Sequence, residues 1–309
     1  MSASTRLRDA LFPRFVPQAR WRTRGDGAGA PLRIGWFGTA AHSIETERTT
    51  LLIDPFVSRQ GFVSLATRTL ESDLGAIQRH LPPRVDAIVC GHSHYDHIAD
   101  APVIAKLTGA QLIGSASTCA WGRALGLPED RLQEIPAHGR SVTVGDIRVR
   151  FVPSRHGRLL AGRVPFPGAV HTAPAPFGRF FHYRMGGAFG LLIEAAGTRI
   201  YHNGSADLID AELEGIHADV VLACLAGRYG THRYLERLLA HLEPRVVIPT
   251  HHDQFFSPLE EGVRLLPKID VDGFLRMAES LRPDLRTLTP LYDERIAFAR
   301  GGHDAVIVD

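Results

Sequence analysis

The run Gly91-His92-Ser93-His94-Tyr95-Asp96-His97-Ile98 holds three imidazoles and one carboxylate within six residues, directly after the apolar run Ala87-Ile88-Val89-Cys90. Neutral imidazole is the commonest ligand of borderline-soft metals, and carboxylate is its usual hard partner. Few structural roles want four such groups together, so the cluster predicts a metal site. Further histidines stand just past other apolar runs: His156 after Ile147–Val152, and His251 with His252 after Arg245–Pro249. Thr198–His202 ends in Asn203-Gly204-Ser205-Ala206-Asp207. Ligands at the same ends of several strands can converge on one point, as active sites in open α/β sheets do. Neighbours on an extended segment point oppositely, so His251 and His252 compete for one position, and His251 is preferred.

The elements that must position these groups are legible as apolar runs. Strands are predicted at Arg33–Phe37, Thr50–Asp54, Asp86–Cys90, Gln111–Gly114, Ile147–Val152, Phe189–Glu194, Thr198–His202, Asp219–Leu225 and Arg245–Pro249. Most are rich in Val, Ile, Leu and Phe and bounded by Gly, Pro or Asp. Helices are predicted at Asp100–Leu107, with Asp100 as N-cap, at Thr231–Leu242, stopped by Pro244, and at Asp272–Leu281, stopped by Pro283. This mixture fits a layered α/β arrangement with sheets inside and helices outside. Residues 1–30 read as an N-terminal extension, and 31–309 as one domain.

Composition narrows the function by exclusion. At 309 residues the chain can bury a large core without disulfides or structural metals. A net charge of only +2 gives no bulk argument for nucleic acid or membrane, although a membrane surface and a homo-oligomer stay open as partners. Cys90, Cys119 and Cys224 are widely spaced in apolar stretches and read as buried free thiols. The basic N-terminus lacks the apolar core of a secretory signal, and no run approaches a membrane span. A cytoplasmic location is expected.

Residues 155–187 stand apart, with Pro165, Pro167, Pro174, Pro176, six glycines and little periodicity. From Ile147 to Ile193 there is no Asp or Glu, while arginines recur, and Phe166, Phe177, Phe180, Phe181 and Tyr183 add aromatic faces. The segment is expected to be a lid that presents Arg155, Arg158, Arg179, His171 and His182 to a small anionic substrate.

The order strand–His-x-His-x-Asp-His, later His, then Gly-Ser, then Pro-Thr-His resembles the metallo-β-lactamase fold superfamily, as do Ile34-Gly35-Trp36-Phe37-Gly38 and Leu52-Ile53-Asp54-Pro55. It is similar in particular to the branch of ascorbate-6-phosphate lactonase and N-acyl-phosphatidylethanolamine phospholipase D. The match spans roughly residues 32–255. The resemblance implies a four-layer αββα sandwich. It implies one metal on His92, His94 and His156, and a second on Asp96, His97 and His251. Three imidazoles leave Zn2+ an open position, where bound water approaches a pKa of ~7. The two-His, one-carboxylate set also suits iron, so the cofactor is one or two Zn2+, with Mn2+ or Fe open. Asp54 is expected to support a ligand histidine through its N–H, and His202 to stand just behind the ligands.

This chain departs from the superfamily at Ser205, where an aspartate usually bridges both metals. Asp207 is the candidate replacement. A second departure is Gly38-Thr39-Ala40-Ala41-His42, where related chains read Gly-His-Ala. The expected activity is metal-dependent hydrolysis of an ester-type bond (phosphodiester, lactone or phospholipid) by metal-bound hydroxide, with Asp96 and His94 as the catalytic residues. An iron-dependent dioxygenase and a non-catalytic, metal-stabilised binding module are the alternatives. A nucleic-acid role is not expected, for want of a long basic tract.

Overall fold

A computed structural model describes residues 9–159, 162–300 and 304–309. Two sheets face one another. One has the strand order β15-β14-β1-β2-β3-β4-β5-β6. Its strands are β1 Leu32–Trp36, β2 His42–Glu45, β3 Thr50–Ile53, β4 Ala87–Val89, β5 Gln111–Gly114, β6 Leu132–Glu134, β14 Arg295–Phe298 and β15 Ala305–Val308. The other has the order β13-β12-β11-β10-β9-β8-β7. It is built from β7 Arg140–Val144, β8 Ile147–Pro153, β9 Phe189–Ala195, β10 Thr198–Asn203, β11 Val220–Cys224, β12 Val246–Thr250 and β13 Arg286–Thr287.

Period-two alternation decides which layer each side chain joins. In β3, Leu51 and Ile53 enter the core between the sheets, while Leu52 faces the outer helices. In β11, Val220 and Leu222 point inward, and Val221 and Ala223 point outward. Both faces of these strands are covered, which is why they read as unbroken apolar runs. Leu74–His80 (α2), Ala101–Thr108 (α4) and Ala116–Ala124 (α5) cover the first sheet. Tyr234–Leu242 (α7) and Val271–Leu281 (α8) cover the second, burying Leu235, Leu238, Leu239, Phe274 and Leu275. Each such side chain contributes about 1.5–3 kcal/mol on burial. The architecture is the expected αββα sandwich. Phe62–Thr67 (α1), Tyr95–Ile98 (α3) and Asp210–Leu213 (α6) are further short helices.

All nine predicted strands occur, with ends shifted by a residue or so. The predicted helices also occur, although the second starts at Tyr234 rather than Thr231. Asp100 takes the N-cap position of α4 but does not cap it with its side chain. Its Oδ2 instead accepts the Val57 and Ser58 amides, at 2.7 and 2.8 Å. The three cysteines are free and buried, as expected. No helix among the described residues is long and apolar enough to cross a membrane.

Described residues outside the 32–255 span are tied to the sandwich. Trp21 is buried and donates from Nε1 to Glu279, and Arg22 pairs with Glu294. Strands β14 and β15 extend the first sheet beyond β1, so residues past 255 belong to the same layers.

Residues 155–187 are not a structureless flap. Val170, Ala173 and Tyr183 are buried, and Phe180–His182 forms a 3-10 turn. Tyr183 stacks on Trp121 of α5 with ring centroids 3.8 Å apart. Ser93, inside the histidine cluster, donates its amide to Met185 and lies with Oγ 2.6 Å from the Arg184 carbonyl. The segment is a cover packed onto the cluster through buried apolar residues and through the Arg184 and Met185 carbonyls.

Candidate metal centre

Strands β10, β11 and β12 run parallel, β8 points the same way through antiparallel β9, and β3 and β4 run parallel in the facing sheet. Their C-terminal ends therefore gather the candidate ligands. Strand β4 leads to His92, β8 to His156 and β12 to His251, while Asp54 follows β3. His94 is extended at φ −67°, ψ 154°, and the short α3 that follows carries Asp96 and His97 on its first turn.

Ligand atoms of His92, His94 and His156 all lie within 4.8 Å of one another, and so do those of Asp96, His97 and His251. In the first, outer set, the tautomers follow from the partners. His94 Nε2 lies 2.9 Å from the Pro165 carbonyl, and His156 Nδ1 lies 2.7 Å from the Gly157 carbonyl. Carbonyls only accept, so both of these nitrogens carry the hydrogen. Burial, reinforced by neighbouring imidazoles, lowers His92, His94 and His156, with His156 near 3. The rings are neutral. Their remaining nitrogens, His94 Nδ1 and His156 Nε2, then face each other bare at 3.1 Å. Two opposed lone pairs at that distance repel unless a metal ion or a shared proton lies between them. His92 adds a buried Nε2 with no partner. Tetrahedral Zn–N bonds of about 2.0–2.1 Å bring ligand nitrogens to about 3.3 Å from each other, so this donor set fits a metal.

The second, inner set is organised by carboxylates. Asp54 Oδ2 accepts His97 Nδ1–H at 2.8 Å, and Oδ1 accepts the Gly91 amide at 2.7 Å. Both oxygens of Asp54 are engaged, which turns His97 Nε2 toward Asp96 and away from Asp54. Asp96 Oδ2 lies 3.3 Å from His251 Nε2 and 3.9 Å from His97 Nε2. Burial acts to raise the Asp96 carboxyl, but His97 and His251 outweigh it and hold the group well below the usual carboxylate range. Burial likewise opposes protonation of His97, and Asp54 and Asp96 overcome it, raising the imidazole. His92 bridges the sets, its ring 3.8 Å from that of His97 and 4.8 Å from that of His94.

Asp207 does not supply the missing carboxylate. Its amide turns back onto the Ser205 carbonyl, its Oδ1 accepts the Leu208 amide, and it joins no converging ligand group among the described residues. Ser205 Oγ accepts the Gly157 amide at 2.9 Å and so steadies the turn that carries His156. His202 is buried and donates from Nε2 to the Ala40 carbonyl; burial pushes it down to about 4, against Asp54. His42 shares that carbonyl through Nδ1. His252 is no ligand. Its ring stacks on Trp36 at 4.7 Å and meets the edge of Phe15 at 5.5 Å.

The substrate residues expected on the cover divide. Arg155, Arg158 and His171 are exposed. Arg179 is spent on the cover, donating from Nη2 to the Ala66 carbonyl and lying 5.1 Å above the Phe181 ring. His182 Nδ1 accepts the Arg179 amide. Neither reaches outward as a free anion fork. The carbonyls of Pro165 and Gly157 were not foreseeable, because a backbone acceptor leaves no mark on residue type.

Residues 49–271 match the family model described as the beta-lactamase superfamily domain. The chain belongs to the beta-lactamase superfamily. A UPF0173 metal-dependent hydrolase from Anaeromyxobacter sp. strain K is 29% identical over 237 residues, 74% of this chain and 77% of that protein. Another UPF0173 metal-dependent hydrolase, from Opitutus terrae, is 26% identical over 265 residues, 84% of this chain and 97% of its own length. The solved structure of Igni18, a metallo hydrolase from the archaeon Ignicoccus hospitalis, aligns with a TM-score of 0.53 at 20% identity. That alignment covers 90% of this chain and 98% of Igni18. Igni18 shares the superfamily fold, and both curated relatives are named for metal-dependent hydrolysis.

Proposed function

We propose that this superfamily member is a metal-dependent hydrolase that cleaves an ester-type bond in a small anionic substrate. The observation that carries the reading is the convergence of His92, His94 and His156, whose ligand atoms lie within 4.8 Å of one another, with His94 Nδ1 and His156 Nε2 only 3.1 Å apart. His92, His94 and His156 would hold one ion, and Asp96, His97 and His251 a second. A bound divalent metal supplies Lewis acidity, polarising the scissile group and acidifying water.

The protein's own groups do the rest. Asp96 stays ionised beside His97 and His251 and would orient the attacking water as a hydrogen-bond acceptor. His94 is held in one tautomer by Pro165, so its free nitrogen points constantly inward. The packed cover leaves His94 only 4% exposed. Exposed Arg155 and Arg158 flank the His156–Gly157 turn and favour a phosphate or carboxylate on the substrate.

A panel of phosphodiesters, lactones and phospholipids, offered to metal-replete and chelator-treated protein, tests this. Turnover that needs metal and falls in Asp96→Asn is expected. No turnover of any ester by fully loaded protein would overturn the ester assignment. The two-His, one-carboxylate composition of the inner set also suits non-haem iron. Oxygen consumption by iron-loaded protein would favour that second reading.

A further inference from the structure

Outside both ligand sets lies a buried charged link that no ligand role explains. Arg59 and Asp253 form an ion pair at 2.6 Å with side chains only 1% and 0% exposed. Burying such a pair is costly, and hydrophobic replacements of a buried pair are often as stable or more so. Its retention here has a geometric correlate in the backbone around His251.

Each Asp253 oxygen is committed. Oδ2 accepts from Arg59 Nη2 and from the Tyr292 hydroxyl at 2.7 Å, and Oδ1 accepts the Thr39 amide at 2.8 Å. The Thr39 carbonyl in turn accepts the His251 amide at 2.9 Å and the Thr250 hydroxyl at 2.8 Å. Thr39 and His251 both sit at positive φ, 45° and 52°, a conformation uncommon for residues other than glycine. Arg59 Nη1 clamps the same loop from its other end, donating to the Gln254 carbonyl at 2.9 Å. Gly38 is required beside it, because a Cβ there would overlap the Arg59 guanidinium. Arg59 itself follows Val57 and Ser58, whose amides are held by Asp100, two residues beyond α3 and its ligands Asp96 and His97.

We infer that Arg59, Asp253 and Tyr292 are positioning residues that lock the strained His251 turn at the spacing the Asp96–His97–His251 set requires. The inference rests on the metal-site reading above. It makes Arg59 a determinant of one ion and not of the other. Replacing hydrogen-bonded supports of metal ligands typically weakens metal binding 10–100-fold.

Cobalt(II) titration of the full chain, followed by its visible absorbance, tests this on wild type, Arg59→Lys and Tyr292→Phe. His251→Ala and His156→Ala serve as markers for the two sets. Lysine keeps the charge but loses the planar fork. In Arg59→Lys the ion lost in His251→Ala should weaken 10–100-fold, while the ion lost in His156→Ala keeps its affinity. The metal-free protein should melt cooperatively at a lowered temperature, so that the ion-selective loss and not the stability loss marks the positioning role. Tyr292→Phe should shift the same ion by a smaller factor, and it decides the matter if Arg59→Lys does not fold. Unchanged titration of both ions, or equal weakening of both, would overturn the positioning role. A wild type that binds no ion would instead overturn the metal-site reading itself, and that is seen before any variant is made.

Discussion

The two ligand sets touch through His92, yet they are built on opposite principles. The outer set is all imidazole, and its tautomers are fixed by backbone carbonyls at Pro165 and Gly157. Burial drives its histidines toward neutrality. The inner set is fixed by carboxylates, which raise His97 and leave Asp96 ionised. A neutral set contributes no charge against a dication, whereas the inner set contributes one. The contrast shows that one motif, His92 to His97, feeds two environments: extended His94 faces the cover, while helical His97 faces Asp54 and Asp96 faces His251. The inner set should therefore bind the tighter ion.

Asp54→Ala is the largest break in that contrast. It strips the acceptor from both His97 Nδ1–H and the Gly91 amide in a buried site. Metal-free protein should lose about 3 kcal/mol in urea unfolding. The inner ion should weaken 10–100-fold, with the outer ion far less affected. Equal weakening of both would merge the two sets into one.

Ser205→Asp sharpens the contrast from the other side. It places a carboxylate beside the turn that carries His156, where the outer set has none. Isothermal titration should show tighter binding of the outer ion and an inner ion changed less. Weaker outer binding would mean that the serine hydroxyl's contact with the Gly157 amide matters more than charge.

The smallest effect belongs to a surface copy of the inner chemistry. Asp210 accepts from Arg237 and His241, and the hydrogen bond from Arg237 is the chief cause holding its carboxyl low. A depressed carboxyl stabilises the fold above its unfolded pKa of about 3.9, and this is lost as pH falls toward the folded value. Asp210 is half exposed, so screening keeps the contribution under about 1 kcal/mol. Asp210→Asn should lower the melting temperature slightly at pH 6, match wild type near pH 2, and leave the metal content unchanged. A gap that widens in acid would contradict this sign.

The sequence showed the ligands more clearly than their supports. His92, His94, Asp96, His97, His156 and His251 were legible as a candidate set, which the fold brings together, because imidazole spacing at strand ends has few other uses. The layered α/β arrangement was legible because two-sided burial writes strands as apolar runs, while the αββα sandwich came from the family resemblance. The short edge strands β6, β7 and β13 carry weaker patterns, and β14 and β15 lie where no motif pointed. Asp207 misled because sequence distance from Ser205 says nothing about a backbone that turns its carboxylate onto Leu208. The arginines of the cover misled in part, since Arg179 closes the cover rather than opening it. Arg59, Asp253 and Tyr292 are far apart in sequence, and only the fold reveals them as one buried link.

Metal content per chain, measured by inductively coupled plasma mass spectrometry after loading and dialysis, bears most directly on two unlike sites. Two ions in wild type, with one left in His156→Ala and one left in His251→Ala, is the predicted result. One ion in wild type that either substitution abolishes would contradict it, by showing a single shared centre.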